Sequence, residues 1–394
     1  MTPAAQHLDG LMQEAQEKNT LAAWRLKNEE AVSIIKDFAQ TPDWSSETDI
    51  GSCEKEVQEC LFRPLNRVLW DQERSKDPEL ETMLPRKEEL AVVFGGKYST
   101  LPDSISETVV RHLAASCRKV LTVSRSEVVS LPDNVTHIVK QNLDQKDNGV
   151  GEFVDVLRAA LAAAKGSMMT IYFTLGQHKG FNPFVRNITA AQNFALALRE
   201  LKDDFSVLAH RIVVTGTDAT KASSSPDSTL SVDGCSYNVP TYKIMKYNFV
   251  YAMSKLCQLY IIANAVYRNK KNEAIKSSIT SRIQQMVHCV AAAGENGNYD
   301  ENGGITMQEL DDISNDWIAV LSELSPHLAV AEGISICYTP LHRTPWTQQA
   351  LSKSSSENVS PKAYLIEQVV RRLKNAISVE KAARLHFPAL TGEE

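Results

Sequence analysis

From about residue 88 the chain alternates short apolar runs with longer amphipathic segments, and this rhythm leaves few folds open. Leu90–Phe94 (LAVVF) ends in Gly95-Gly96 and reads as a buried parallel strand. Residues 105–115 read as a helix, with Asp103 or Ser104 as N-cap and Glu107 at the capping-box position. Further strands are expected at Lys119–Ser124, 136–140, 168–174 and 211–215, with a late one at 333–338. Helices are expected at 151–164 and 187–201, and a long one at 247–267. Repeated strand–helix units of this length imply an α/β fold with a doubly wound parallel sheet.

The flanks follow other rules. Residues 1–88 are charged, with spaced apolar positions at 8–16, 21–38 and 54–71, and predict a helical N-terminal extension. Such an arm packs on the core or on a second subunit, so a homodimer through it is a possible partner state. Residues 219–237, rich in Ser, Asp, Pro and Gly, read as a loop, and 268–332 as a mostly helical insertion before the last strand. A Ser-rich linker at 351–360 leads to an amphipathic helix at 363–376. The expected domains are therefore 1–88, 89–350 with its insertion, and 351–394.

With 394 residues and 43% hydrophobic content, a sizeable core is affordable. The formal net charge of -6 argues against a nucleic-acid partner held by broad phosphate neutralisation. No apolar stretch reaches the length of a membrane span; the run at 256–266 is broken by Gln258 and Asn264. A cytoplasmic protein with no membrane partner is expected. The seven cysteines form no Cys-x-x-Cys pair, so neither a zinc site nor a disulfide framework is indicated.

Two stretches carry chemistry. The first is the turn Gly95-Gly96-Lys97-Tyr98-Ser99-Thr100-Leu101-Pro102-Asp103-Ser104-Ile105-Ser106, where a strand hands over to a helix whose free N–H groups suit a pyrophosphate. The second is Tyr251-Ala252-Met253-Ser254-Lys255. Residues four apart share a helix face, and an ammonium beside a phenol lowers its pKa and tunes it as a general acid/base.

Together these residues resemble the short-chain dehydrogenase/reductase family in its divergent forms. Tyr251 and Lys255 match the Tyr-x-x-x-Lys signature, and Ser104-Ile105-Ser106 matches the triplet that replaces the later glycines in enoyl-acyl-carrier reductases. The resemblance covers about residues 88–267 and 333–345, and it implies a Rossmann sheet and a nicotinamide cofactor. It implies Tyr251, Lys255, Thr217 and Asn187 as catalytic residues. Tyr247 competes for the tyrosine role, and Ser223 or Ser224 for that of Thr217. It implies cofactor contacts from Gly95, Gly96, Ser104, Ile105, Arg125, Asp144, Gly176, Lys255, Pro340 and Thr344, with Asn142 competing with Asp144 near the adenine. An arginine at the end of the second strand can pair with a 2′-phosphate, so Arg125 points to NADP(H), with NAD(H) possible. The alternative for Arg125 is a solvated surface arginine, and for Asn187 a plain helix N-cap.

The chain departs from the family at the three-glycine fingerprint, at Phe173-Thr174-Leu175-Gly176 where Asn-Asn-Ala-Gly is usual, and at Pro340-Leu341 where Pro-Gly is usual. The implied activity is hydride transfer between a nicotinamide and a carbonyl, alcohol or enoyl group of a small-molecule substrate. The departures keep two other classes open: a non-redox dehydratase, isomerase or cyclase on the same scaffold, and a nucleotide-sensing binding protein. Residues 298–309 fit an EF-hand spacing, but Asn298 stands where Asp is usual and the glycines before it break the incoming helix, so a polar loop is expected and no metal. His178 and His342 lie near expected strand ends and read as surface or hydrogen-bonded histidines.

Overall fold

The structure is a computed structural model that describes residues 2–17, 29–44, 48–85, 87, 90–164, 169–176, 183–201, 210–215, 229–232, 235–238, 255, 258, 261, 262, 350, 360–373 and 376–387. The expected insertion at 268–332, the strand at 333–338 and most of the helix at 247–267 lie outside these residues. The chain divides into two compact units. One holds residues 85–98 and 112–338, and the other holds 1–84, 99–111 and 339–394.

The first unit carries five parallel strands: β1 (Leu90–Phe94), β2 (Lys119–Ser124), β3 (Val135–Val139), β4 (Met169–Phe173) and β5 (His210–Val214). Their order is β3-β2-β1-β4-β5. In register, Val93 faces Thr122 on one side and Tyr172 on the other, and Tyr172 faces Val213. Every residue of β1 and β4 is buried, as in a parallel strand covered on both faces. The connections supply α6 (Ile105–Ser116), α7 (Gly149–Ala164) and α8 (Pro183–Glu200). With right-handed crossovers and a reversal of strand order at β1, α7 and α8 fall on one face. This is the doubly wound sheet that the alternation predicts. Leu90, Val92 and Phe94 of β1 join Met169, Ile171 and Phe173 of β4 in a core with α7 and α8. Phe94, Phe153, Phe173 and Phe194 close that core, with Phe94–Phe153 centroids 4.9 Å apart and Phe173–Phe194 centroids 5.1 Å apart.

One expectation fails in this unit. Residues 219–237 contain an antiparallel pair, β6 (Thr229–Val232) and β7 (Cys235–Asn238), in which Val232 pairs with Cys235. Only Asp233-Gly234 separates the paired ends, and Asp-Gly is a strong signal for a two-residue hairpin. Ser-rich composition hid it.

The second unit is helical: α1 (Pro3–Glu17), α2 (Glu29–Gln40), α3 (Ile50–Glu56), a π-helical turn at Val57–Phe62, α4 (Arg63–Lys76), α5 (Glu79–Thr82), α9 (Pro361–Leu373) and α10 (Val379–Arg384). The start of α6 belongs to this unit as well. Asp49 caps α3 by accepting from Ser52 N. Pro64 explains the π turn: it has no N–H to give the Cys60 carbonyl, and the ladder widens just before it. Ile35, Phe38, Leu61, Phe62 and Leu65 share one core with Leu365, Ile366 and Val369 of α9. The two ends of the chain thus fold together. A second C-terminal helix, α10, was not expected; Ser378 caps it by accepting from Lys381 N. Among the described residues no helix is long and apolar enough to cross a membrane.

Candidate functional site

Strand order reverses between β1 and β4, since β2 and β3 lie to one side and β5 to the other. In an open parallel sheet the ligand crevice lies outside the carboxyl ends of two such strands. At this edge β1 runs into Gly95, whose φ is +92°. A Cβ there would come within 2.9 Å of Leu175 N, so both the left-handed backbone and the close approach of two chains require glycine. Gly96 behind it is buried. Thr174 ties the strand ends together: its N–H and its hydroxyl each donate to the Phe94 carbonyl at 2.9 Å.

Lys255 stands at this edge. Residues 255, 258, 261 and 262 are helical, in agreement with the expected helix. The lysine is 3% exposed. Its Nζ donates to the Leu175 carbonyl at 2.8 Å and to Gln258 Oε1 at 2.9 Å. Gln258, fully buried, passes the contact on, donating through Nε2 to the Asn187 carbonyl at 2.9 Å. A Cβ on Gly176 would lie 2.5 Å from Lys255 Nζ, so this glycine leaves the space that the ammonium fills. Among the described residues no carboxylate pairs with Lys255. Burial without a counter-charge pulls its pKa down to about 7. Such a group exchanges its proton near neutrality, and an anion brought beside it would hold it charged.

Asn187 is buried but is not an N-cap, because α8 begins at Pro183. It reaches Lys255 through Gln258 and its own backbone carbonyl.

Arg125 and Asp144 are brought together as an ion pair. Arg186 of α8 approaches the same carboxylate at 3.8 Å. The guanidinium of Arg125 is half exposed and already faces a negative charge. Asn142, the other candidate near the adenine, gives its N–H and side-chain amide to Glu152 of α7 at 2.9 and 3.2 Å.

The start of α6, in the helical unit, is capped by Ser104, whose Oγ accepts from Glu107 N at 3.3 Å. Glu107 returns the bond, accepting from Asp103 N at 2.9 Å, which closes the expected capping box one residue early. The N–H groups of Ile105 and Ser106 meet no acceptor among the described residues. Open amides at the start of a 12-residue helix carry the positive end of its dipole.

Tyr251, Thr217, Pro340 and Thr344 lie outside the described residues, as do Tyr247, Ser223, Ser224, His178, His342 and the loop at 298–309. Sequence reading missed Gln258 as a partner of Lys255. The signal was an amide one helical turn from the lysine, inside a largely apolar stretch. Among the described residues no cluster of His, Cys, Asp or Glu could hold a metal ion.

No protein-family model matches the chain. No curated protein matches it either. Solved structures similar to it include a glucuronic acid dehydrogenase from Chromohalobacter salexigens, 13% identical, with a TM-score of 0.29 over 44% of this chain and 53% of that one. The chain thus spans about half the length of that enzyme. The Bordetella bronchiseptica enzyme WbmG in complex with NAD is 10% identical, with a TM-score of 0.31 over 75% of this chain and 97% of that one. FabMG, an enoyl-acyl carrier protein reductase, is 11% identical, with a TM-score of 0.28 over 76% and 95%. Likeness at this level carries no weight for activity. The strand order and the Lys255 geometry stand without it.

Proposed function

We propose that the chain is an NAD(P)H-dependent oxidoreductase of the short-chain dehydrogenase type, acting on a carbonyl, alcohol or enoyl group of a small molecule. One observation carries the reading: a buried lysine with no counter-charge among the described residues stands at the point of the sheet where strand order reverses, with Gly176 making room for it. A desolvated ammonium is costly to place, and sites that tolerate one tend to use it. A bound nicotinamide supplies hydride at its C4. Lys255 gives the positive charge beside the crevice. Tyr251, four residues earlier, holds and donates the proton, its pKa lowered by that charge. Thr217 hydrogen-bonds the substrate oxygen, and Asn187 braces Lys255 through Gln258. Gly95, Gly96, Ser104, Ile105, Gly176, Pro340 and Thr344 contact the dinucleotide in this reading. Arg125 favours NADP(H) by its charge, and its pairing with Asp144 leaves NAD(H) as the competitor.

Titration with NADPH and NADH, followed by a panel of ketones, alcohols and enoyl thioesters, tests this directly. The expected result is saturable binding and substrate-dependent loss of reduced nicotinamide absorbance. Tyr251→Phe should abolish turnover and keep cofactor binding. Failure to bind either nucleotide, or full activity in Tyr251→Phe, overturns the reading.

A nucleotide-sensing or non-redox role is the second reading. It is favoured by the inward direction of the Lys255 hydrogen bonds, both of which end on protein oxygens. Turnover without loss of absorbance, or binding without turnover, would select it.

A further inference from the structure

Three consecutive carbonyls at the end of β2 are all held by residues 137–141, which run from the middle of β3 to just past its end. The Ser124 carbonyl accepts from Lys140 N at 3.0 Å, the Arg125 carbonyl from Gln141 Nε2 at 2.8 Å and the Ser126 carbonyl from His137 Nε2 at 2.8 Å. A carbonyl only accepts, so His137 carries its proton on Nε2, and its Nδ1 accepts from the Thr122 hydroxyl at 2.7 Å. Thr122, fully buried, is the register partner of His137 on β2 and fixes the ring in this tautomer. The Ser124 hydroxyl closes the turn, donating to the Ser126 carbonyl at 3.0 Å and accepting from Ser126 N at 3.3 Å. Arg125 and Ser126 are exposed, where water satisfies a carbonyl without fixing the backbone. Tying down such a segment costs entropy. What it holds in place is one charged side chain, at the carboxyl end of the strand beside β1. The guanidinium of Arg125 pairs with Asp144, and Arg186 of α8 stands 3.8 Å from the same carboxylate. Asp144 therefore keeps a cation beside it when Arg125 turns to another anion.

We propose that His137 and Gln141 are positioning residues: they fix the backbone of Arg125 so that its guanidinium, on leaving Asp144, meets a phosphate monoester carried by the bound nucleotide. The inference rests on the nucleotide reading above and adds to it the residues that set the choice between the two coenzymes. A guanidinium on a loose segment loses conformational entropy on gripping a phosphate. On a backbone already ordered by His137 and Gln141 that loss is smaller, and the charge-assisted bonds count in full. A nucleotide without that phosphate makes no use of the arrangement, and its affinity is set elsewhere.

The test is calorimetric titration of the full-length chain with NADPH and with NADH, which differ by that one phosphate. His137→Leu and Gln141→Leu should each weaken NADPH binding by about fivefold to tenfold, the scale of one lost hydrogen bond. NADH binding should stay within about twofold of the parent, an outcome that a general loss of structure does not give. Gln141→Leu changes an exposed side chain and serves if His137→Leu does not fold. In an Arg125→Ala chain the same two substitutions should alter NADPH binding by less than about twofold, because no guanidinium is left to position. Equal weakening of both nucleotides, no change in either, or a loss that persists without Arg125 overturns the inference. A parent chain that binds NADH and not NADPH removes the inference and leaves the oxidoreductase reading standing. A parent chain that binds neither overturns both.

Discussion

Two lysines are buried among the described residues, and their surroundings are opposite. Lys362, fully buried in the helical unit, donates to Glu56 Oε1 at 2.6 Å and to Thr41 Oγ1 at 2.6 Å. It also lies 5.0 Å from the Phe38 ring centroid and 5.3 Å from that of Trp44. Burial pushes the Glu56 carboxyl upward. Hydrogen bonds from Lys362, Trp44 and Thr41, with the charge of the lysine, outweigh it and hold Glu56 below the usual carboxylate range. Lys255, in the sheet unit, has a carbonyl and an amide oxygen as its partners among the described residues. One ammonium is matched by a full negative charge and two aromatic faces; the other, among the described residues, is matched by dipoles. The contrast teaches that burial by itself does not mark a functional lysine. What marks it is burial with the counter-charge left out, since the cost of that omission must be offset by something the bare structure does not use.

The largest expected effect is at Lys255. Lys255→Met should lower turnover by at least about 10²-fold, the scale of a lost electrostatic contact at a reacting centre. It should also stabilise the fold at neutral and acid pH, and the sign can be worked out. The folded pKa of about 7 lies below the ordinary lysine value near 10.4. Between these values the unfolded chain binds the extra proton, so parent stability rises with pH across that window and is lowest below pH 7. The Met variant has no such slope. Its advantage, up to about 1.4 kcal/mol per pH unit of the window, is greatest below pH 7 and fades toward pH 10. Thermal unfolding of both chains across this range checks it. A variant less stable than the parent at pH 6 would place Lys255 with Lys362 as a structural lysine.

Lys362→Met should act in the reverse sense. It strands Glu56, which is partly buried, without its cation, and removes two cation–π contacts. A loss of about 3 kcal/mol is expected, seen as a lower urea midpoint with nucleotide affinity unchanged. Little change in midpoint would mean that the pair only offsets its own desolvation.

The sheet was legible because its strands are apolar throughout and separated by amphipathic helices. Leu90–Phe94 and Lys119–Ser124 were read to the residue, and the strands at 135–139, 169–173 and 210–214 to within one. The 229–238 hairpin was not, since a Ser-rich composition masked the Asp233-Gly234 turn signal. Lys255 was legible as half of a spaced pair. Its surroundings were not, because which carbonyl a lysine meets depends on the crossover between β1 and β4, a contact across 80 residues of sequence. For the same reason the joining of α9 to the N-terminal helices was invisible: amphipathic periodicity says that a face is covered and not by what.

The finest test of the contrast gives Lys255 the counter-charge it lacks. Gln258→Glu places a carboxylate where the amide oxygen now accepts from Nζ at 2.9 Å. An opposite charge at that distance favours the ammonium, so the pKa of Lys255 should move up from about 7 toward the ordinary lysine range. The substitution also removes the donor to the Asn187 carbonyl, at a cost of about 1 kcal/mol. That loss opposes the gain from pairing, so stability near neutrality should change by only about 1 kcal/mol either way. The pH dependence should change clearly. If the ammonium is the active form, turnover in the parent chain falls as pH rises through the lysine pKa, and in the Glu variant this alkaline limb should move up by about a unit or more. Direct titration of a nitrogen-labelled lysine would report the same displacement without any substrate. An alkaline limb that stays in place while the lysine pKa moves would show that Lys255 does not control the chemistry, however unusual its burial.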